Sequence, residues 1–166
     1  MTEEQASAFL TVMTGLIERE AGSTRKVVAA ITDLDYKPDP KSRTAGELAK
    51  HLVMADVWFA DSIAEGAFVW KGEPAALPEL TDPAAIASWH EKQLGERLAK
   101  LRSMTPEQLV RDVEFFGMKA PAVTWLGMMN NHAVHHRGQL AAYLRPMGSK
   151  VPAIYGMSAD EPMMIA

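Results

Sequence analysis

The chain has 166 residues, 48% of them hydrophobic and 23% charged, with no cysteine and a formal net charge of -4 at neutral pH. That length suits one domain with a real hydrophobic core, and the lack of cysteine excludes disulfides and thiolate metal sites. An acidic chain with a pI near 5.7 lacks the basic stripe of a nucleic-acid binder. Its acidic opening, M-T-E-E-Q, is no basic leader, and no apolar run is long enough for a membrane span. The expectation is one helical domain over residues 1–166, cytoplasmic and in contact with neither nucleic acid nor membrane.

Phe9, Leu10, Met13, Leu16, Ile17, Val27, Val28, Ile31 and Leu34 recur at helical steps, which predicts a long first helix. Thr2 and Gln5 can form a capping box at its start. Lys37-Pro38-Asp39-Pro40 should stop it, because proline excludes the helical conformation from the residue before it. A second helix should begin at Thr44, capped with Glu47, and bury Leu48, Leu52, Ala55, Phe59 and Ile63. The stretch from Glu65 to Leu80, with Gly66, Gly72, Pro74 and Pro78, reads as a connection.

Asp82-Pro83 announces a third helix, with aspartate as cap and proline in the first turn. Its expected buried face is Ile86, Trp89, Leu94, Leu98 and Leu101. Thr105-Pro106 starts a short helical turn, and Val113 to Met118 could form a strand or hairpin. A last long helix should run from Pro121 to about Leu144, before Arg145-Pro146-Met147-Gly148. Four long amphipathic helices predict an all-α four-helix bundle. The second helix spans about 30 Å. The connection after it reaches about 50 Å when extended, enough for the second and third helices to run parallel.

Three of the five histidines fall in N-N-H-A-V-H-H-R-G-Q-L on the last helix. His132 and His136 are four apart, so their imidazoles stack on one face and can chelate one ion. They border the aliphatic arc of Leu126, Met129, Ala133, Leu140 and Leu144. A third ligand must come from another helix, and His51, one position off the second helix's stripe, is the candidate. A purely structural role, with each ring bonded to a backbone carbonyl, fits the same spacing. His135 points about 100° away from His136, outside a shared first shell.

The stretch H-A-V-H-H-R-G-Q-L-A-A-Y-L-R-P-M-G-S-K-V-P-A-I-Y-G closely resembles the signature of the DinB family of small helical proteins. The single histidine in T-A-G-E-L-A-K-H-L is similar to that family's second-helix motif. The resemblance covers nearly the whole chain, and H-x-x-x-H-R-G-Q followed by Y-L-R-x-x-G is its most specific part. It implies an up-down-down-up bundle, often paired as a homodimer. It also implies one metal held by a histidine of the second helix and two of the last, which falls on His51, His132 and His136. No ligand role is implied for His135, while Arg137, Gly138 and Gln139 match the trailing R-G-Q. Characterised relatives include thiol-cofactor-dependent transferases and a maleylpyruvate isomerase.

Three neutral imidazoles leave a coordination position open, as in catalytic sites. They suit a divalent transition metal, zinc or nickel first and iron next. Activation of a low-molecular-weight thiol would serve a transferase, and activation of water a hydrolase. The expected protein is therefore a metal-dependent enzyme acting on a small molecule. The alternative is a non-catalytic dimeric bundle that binds a metal or small ligand.

Among other residues, Glu47 reads as a cap and Arg137 as the partner of an acidic side chain. Tyr143 fits either substrate contact or a buried structural role, and His90 reads as surface. Met128, Met129, Met163 and Met164 could suggest a soft copper site, but methionine at helical spacing more often fills a core. The catalytic acid and base are not legible. On the outer arc of the last helix, Val134, Gly138, Ala141 and Ala142 are small residues that would let a second copy approach.

Overall fold

The computed structural model describes residues 1–72, 74, 77 and 79–162. Four long helices form the body: α1 (Glu3–Ala29), α2 (Ala45–Glu65), α3 (Pro83–Arg102) and α5 (Trp125–Leu144). Between α3 and α5 lie a single helical turn, α4 (Pro106–Val110), and an antiparallel hairpin of β1 (Asp112–Phe115) and β2 (Met118–Pro121). A 3₁₀ turn over Ala122–Thr124 leads into α5. The Thr2–Gln5, Thr44–Glu47 and Thr105–Gln108 capping boxes all form, and Asp82 caps α3.

Cross-helix contacts give the helix directions. Arg25 meets Glu91 and Glu18 meets Arg102, so α1 and α3 are antiparallel. Asp56 meets His90 and Asp61 meets Arg97, so α2 and α3 run the same way. His51 lies beside His136 and Phe59 beside His132, so α5 runs against α2. The order is up-down-down-up, and the long connection after α2 is the crossover that permits it.

Two expectations need correction. The first helix ends at Ala29, well before Pro38. Ile31 and Leu34 continue the apolar pattern because the loop itself packs on the core. Asp33 accepts from the Asp35 amide, and the Leu34 and Tyr36 carbonyls accept from the Gly46 and Ala45 amides. Those bonds replace helical ones. Gly46 lies so close to Leu34 that a Cβ there would sit 3.0 Å from its carbonyl oxygen.

His90 is the second correction, for it is fully buried, whereas Trp89 is only half-buried. Ile86, His90, Leu94, Leu98 and Leu101 share one face of α3. The ring Nε2 lies 2.9 Å from Asp56 Oδ2 on α2, which lets a polar side chain occupy a core position. Met129 is core and Met128 packs against it, consistent with methionine as filler. Pro78, Met163 and Met164 lie outside the described residues.

The buried apolar residues divide into two clusters. One gathers Leu10, Met13, Ile17, Phe59, Leu94, Leu98, Trp125 and Met129, with Phe115 from the hairpin. The other gathers Val27, Val28, Leu48, Leu52, Ile86, Leu140 and Leu144. His132 and His136 fall between the two clusters along α5, and His51 lies on α2 within the stretch that feeds the second cluster, next to Leu52. Truncation of one partner in a buried hydrogen-bonded pair leaves the other unsatisfied. Asp56→Ala should therefore lower stability by about 3 kcal/mol in urea unfolding. A loss below about 0.5 kcal/mol, typical of surface changes, would show that the pair does not tie α2 to α3.

Candidate metal centre

The sequence spacing of α5 places His132 and His136 one turn apart, and the antiparallel packing of α2 delivers His51 against them. Ring centroids lie 5.2 Å apart for His51 and His132, 4.7 Å for His51 and His136, and 4.4 Å for His132 and His136. One nitrogen from each ring falls within 4.8 Å of the other two, so the three histidines could hold a metal ion. Modest side-chain rotation would bring such nitrogens onto one ion at about 2.1 Å. All three rings are half-buried.

Two details fit the donor set. Gln139 Oε1 lies 2.7 Å from His136 Nδ1. Since that oxygen only accepts, Nδ1 carries the proton and Nε2 keeps its lone pair, an arrangement typical of metal-binding histidines. His132 Nδ1 is buried with no hydrogen-bond partner, so it is free to serve as a ligand nitrogen. On its other side His132 packs against Phe59, with centroids 5.6 Å apart.

Electrostatics keep the rings neutral. Burial drives His51 down to about 4, and the positive charges of Arg43 and of a protonated His136 push the same way. Burial also drives His132 to about 4, reinforced by the neighbouring histidines and Arg43. His136 is lowered by burial, against which the Gln139 bond acts. Arg43, exposed just before the α2 cap, thus adds positive potential to all three rings. Among the described residues its guanidinium has no hydrogen bond or ion pair.

The other candidates separate cleanly. His135 is exposed and lies outside the group of three, although its ring is 4.9 Å from that of His136. Glu47 spends its carboxylate on the Thr44 amide as a cap. Arg137 is buried and structural: Nη2 lies 2.6 Å from Glu20 Oε2, Nη1 donates to the Glu20 carbonyl, and the guanidinium also bonds the Tyr155 hydroxyl. Tyr143 is half-buried, edge-on to Tyr36 at 5.9 Å, and packs on the second apolar cluster. Sequence reasoning assigned no role to Gln139, although its i+3 spacing from His136 carried the signal, nor to Arg43, which lies outside any helical period.

In the metal-free protein, His51 and His132 bind protons less readily folded than unfolded. Between about pH 6.5 and 4 the unfolded chain takes up protons that the folded one refuses, so stability rises with pH across that window. Their contribution is complete above about 6.5 and lost as pH falls toward 4. Replacing both with glutamine should flatten the dependence of Tm on pH in that range. An unchanged slope would contradict the neutral assignment.

Comparison with known proteins places the chain in a family. The DinB family profile matches residues 6–163. The uncharacterized protein YrdA of Bacillus subtilis (strain 168) is 31% identical over 147 residues, covering 87% of this chain and 86% of YrdA. YjoA of the same organism is 34% identical over 119 residues, 68% of this chain and 73% of YjoA. Among solved structures, the DinB-like YjoA superposes with a TM-score of 0.68 at 27% identity, covering 86% of this chain and 96% of that one. A DinB-like protein from Bacillus cereus ATCC 10987 gives 0.71 at 28% identity, with 86% and 95% covered.

Proposed function

The chain belongs to the DinB family, and from that premise we propose that it is a divalent-metal-dependent enzyme acting on a small molecule, of the thiol-dependent transferase or hydrolase type. The convergence of three neutral imidazoles from two helices carries this reading. Nitrogen donors of this kind suit zinc or nickel first and iron next. A bound ion would supply Lewis acidity to polarise a coordinated oxygen or sulfur of the small molecule.

The protein's own residues do the rest. His51, His132 and His136 hold the ion without adding charge, and Gln139 fixes the His136 tautomer. With only three protein ligands, a position stays open for substrate. Arg43 adds a second positive charge, which favours an anionic reactant such as a thiolate. The apolar clusters on either side limit water around the rings and strengthen these interactions. Among the described residues, no helix is long and apolar enough to cross a membrane.

Untagged protein should carry about one transition-metal ion per chain by elemental analysis. His132→Ala/His136→Ala should lose it, and His135→Ala should keep it. Full retention by the double variant would sink the assignment. We also propose that the protein is a homodimer through the outer face of α5, where Gly138 and Ala142 are exposed and Val134 and Ala141 half-buried. Sedimentation equilibrium at micromolar concentration should give twice the 18.2 kDa chain mass; the single mass would refute pairing.

A further inference from the structure

A cavity of about 270 Å³ lies between α2, the start of the connection that follows it, and α3. None of the three clustered histidines lines it. Its walls combine the apolar Met54, Val57 and Trp58 of α2 and Val69 and Trp70 of the connection with the charged side chains of Asp61, Glu65, Lys71 and Arg97. The Trp58 and Trp70 rings stand 6.1 Å apart at 71°, so a flat group can lie on one face and meet the edge of the other. The cavity is held open by bonds that do not depend on a ligand. Trp58 Nε1 donates to the Val69 carbonyl at 3.1 Å, and Lys71 Nζ reaches Glu65 Oε2 at 2.6 Å, so the connection is tied to α2 at two points.

Beside these charges the lining offers one uncharged polar side chain. Ser62 lines it and is 3% exposed, yet its hydroxyl has no hydrogen-bond partner among the described residues. Facing the cavity, that hydroxyl is free to bond whatever fills the space. Both carboxylates facing the space already have cations: Asp61 pairs with Arg97 and Lys100, Glu65 with Lys71. A charged ligand would compete with those pairs. The volume is near the lower end for small-molecule pockets, which suits one or two fused rings.

We propose that this cavity is a binding site for a small, neutral, planar aromatic molecule, lying on the face of one of Trp58 and Trp70 against the edge of the other and hydrogen-bonded through one polar atom to the Ser62 hydroxyl. The site is separate from the histidine centre and does not rest on the metal reading. A ring ligand there would bury apolar area against two tryptophans and give Ser62 the partner it lacks.

Indole is a suitable probe because it has a flat apolar body and one N–H donor, and indene has the same shape without the donor. Titrated into ¹⁵N-labelled protein, indole should shift the Trp58 and Trp70 side-chain amide signals saturably, with a Kd of about 1 mM or tighter. Trp70 is 53% exposed, so Trp70→Ala should leave the fold intact, as its amide spectrum can verify, and weaken binding by about fivefold or more. Ser62→Ala should abolish the preference for indole over indene. His132→Ala/His136→Ala should leave indole affinity within about twofold of the parent. Absence of saturable shifts would overturn the proposal. So would unchanged affinity in Trp70→Ala, or loss of binding in the histidine variant, which would place the ligand at the other centre.

Discussion

Three imidazoles whose donor atoms lie within 4.8 Å of one another cannot all become imidazolium ions without strong mutual repulsion. Half-buried among apolar side chains, they also lose the water that would stabilise a charge. Burial and mutual repulsion act in the same direction, and Arg43 adds to both. The site therefore presents lone pairs instead of protons at neutral pH. Neutral nitrogens are what a divalent ion requires.

This constraint shapes the middle of the bundle beyond the three rings. The two apolar clusters meet at a level where each helix contributes polar side chains: Glu20 and Thr24 from α1, Asp56 from α2, His90 from α3, and Arg137 from α5. Arg137 follows His136 directly and points toward α1, where Glu20 and Tyr155 hold it. One stretch of α5 thus anchors the helix on one side and turns the His132 and His136 rings toward His51 on the other. Asp56 likewise ties α2 to α3 while His51, just over a turn earlier, faces α5. Polar layers of this kind fix the register of packed helices, because sliding one by a turn would strand every buried group at once.

Much of this was legible in the sequence. Two capping boxes, Asp82-Pro83 and Thr105-Pro106 marked four helix starts because those signals are local. The histidine pair and its partner on α2 followed from helical spacing together with the family resemblance. His90 was misread because burial of a polar residue depends on a partner, and Asp56 lies 34 positions away on another helix. The end of α1 was misplaced because apolar periodicity continues into a loop that also packs on the core. Arg43 has no periodic signal, and its effect exists only once α2 and α5 are brought together.

The central claim is that three histidine nitrogens from α2 and α5 bind one ion. X-ray absorption spectroscopy at the edge of the metal found in the purified protein reads the ligands directly. The account predicts about three imidazole scatterers near 2.1 Å, falling to one in His132→Ala/His136→Ala protein reloaded with that metal. A shell of oxygen donors without imidazole scattering, or a spectrum unchanged in that variant, would contradict it.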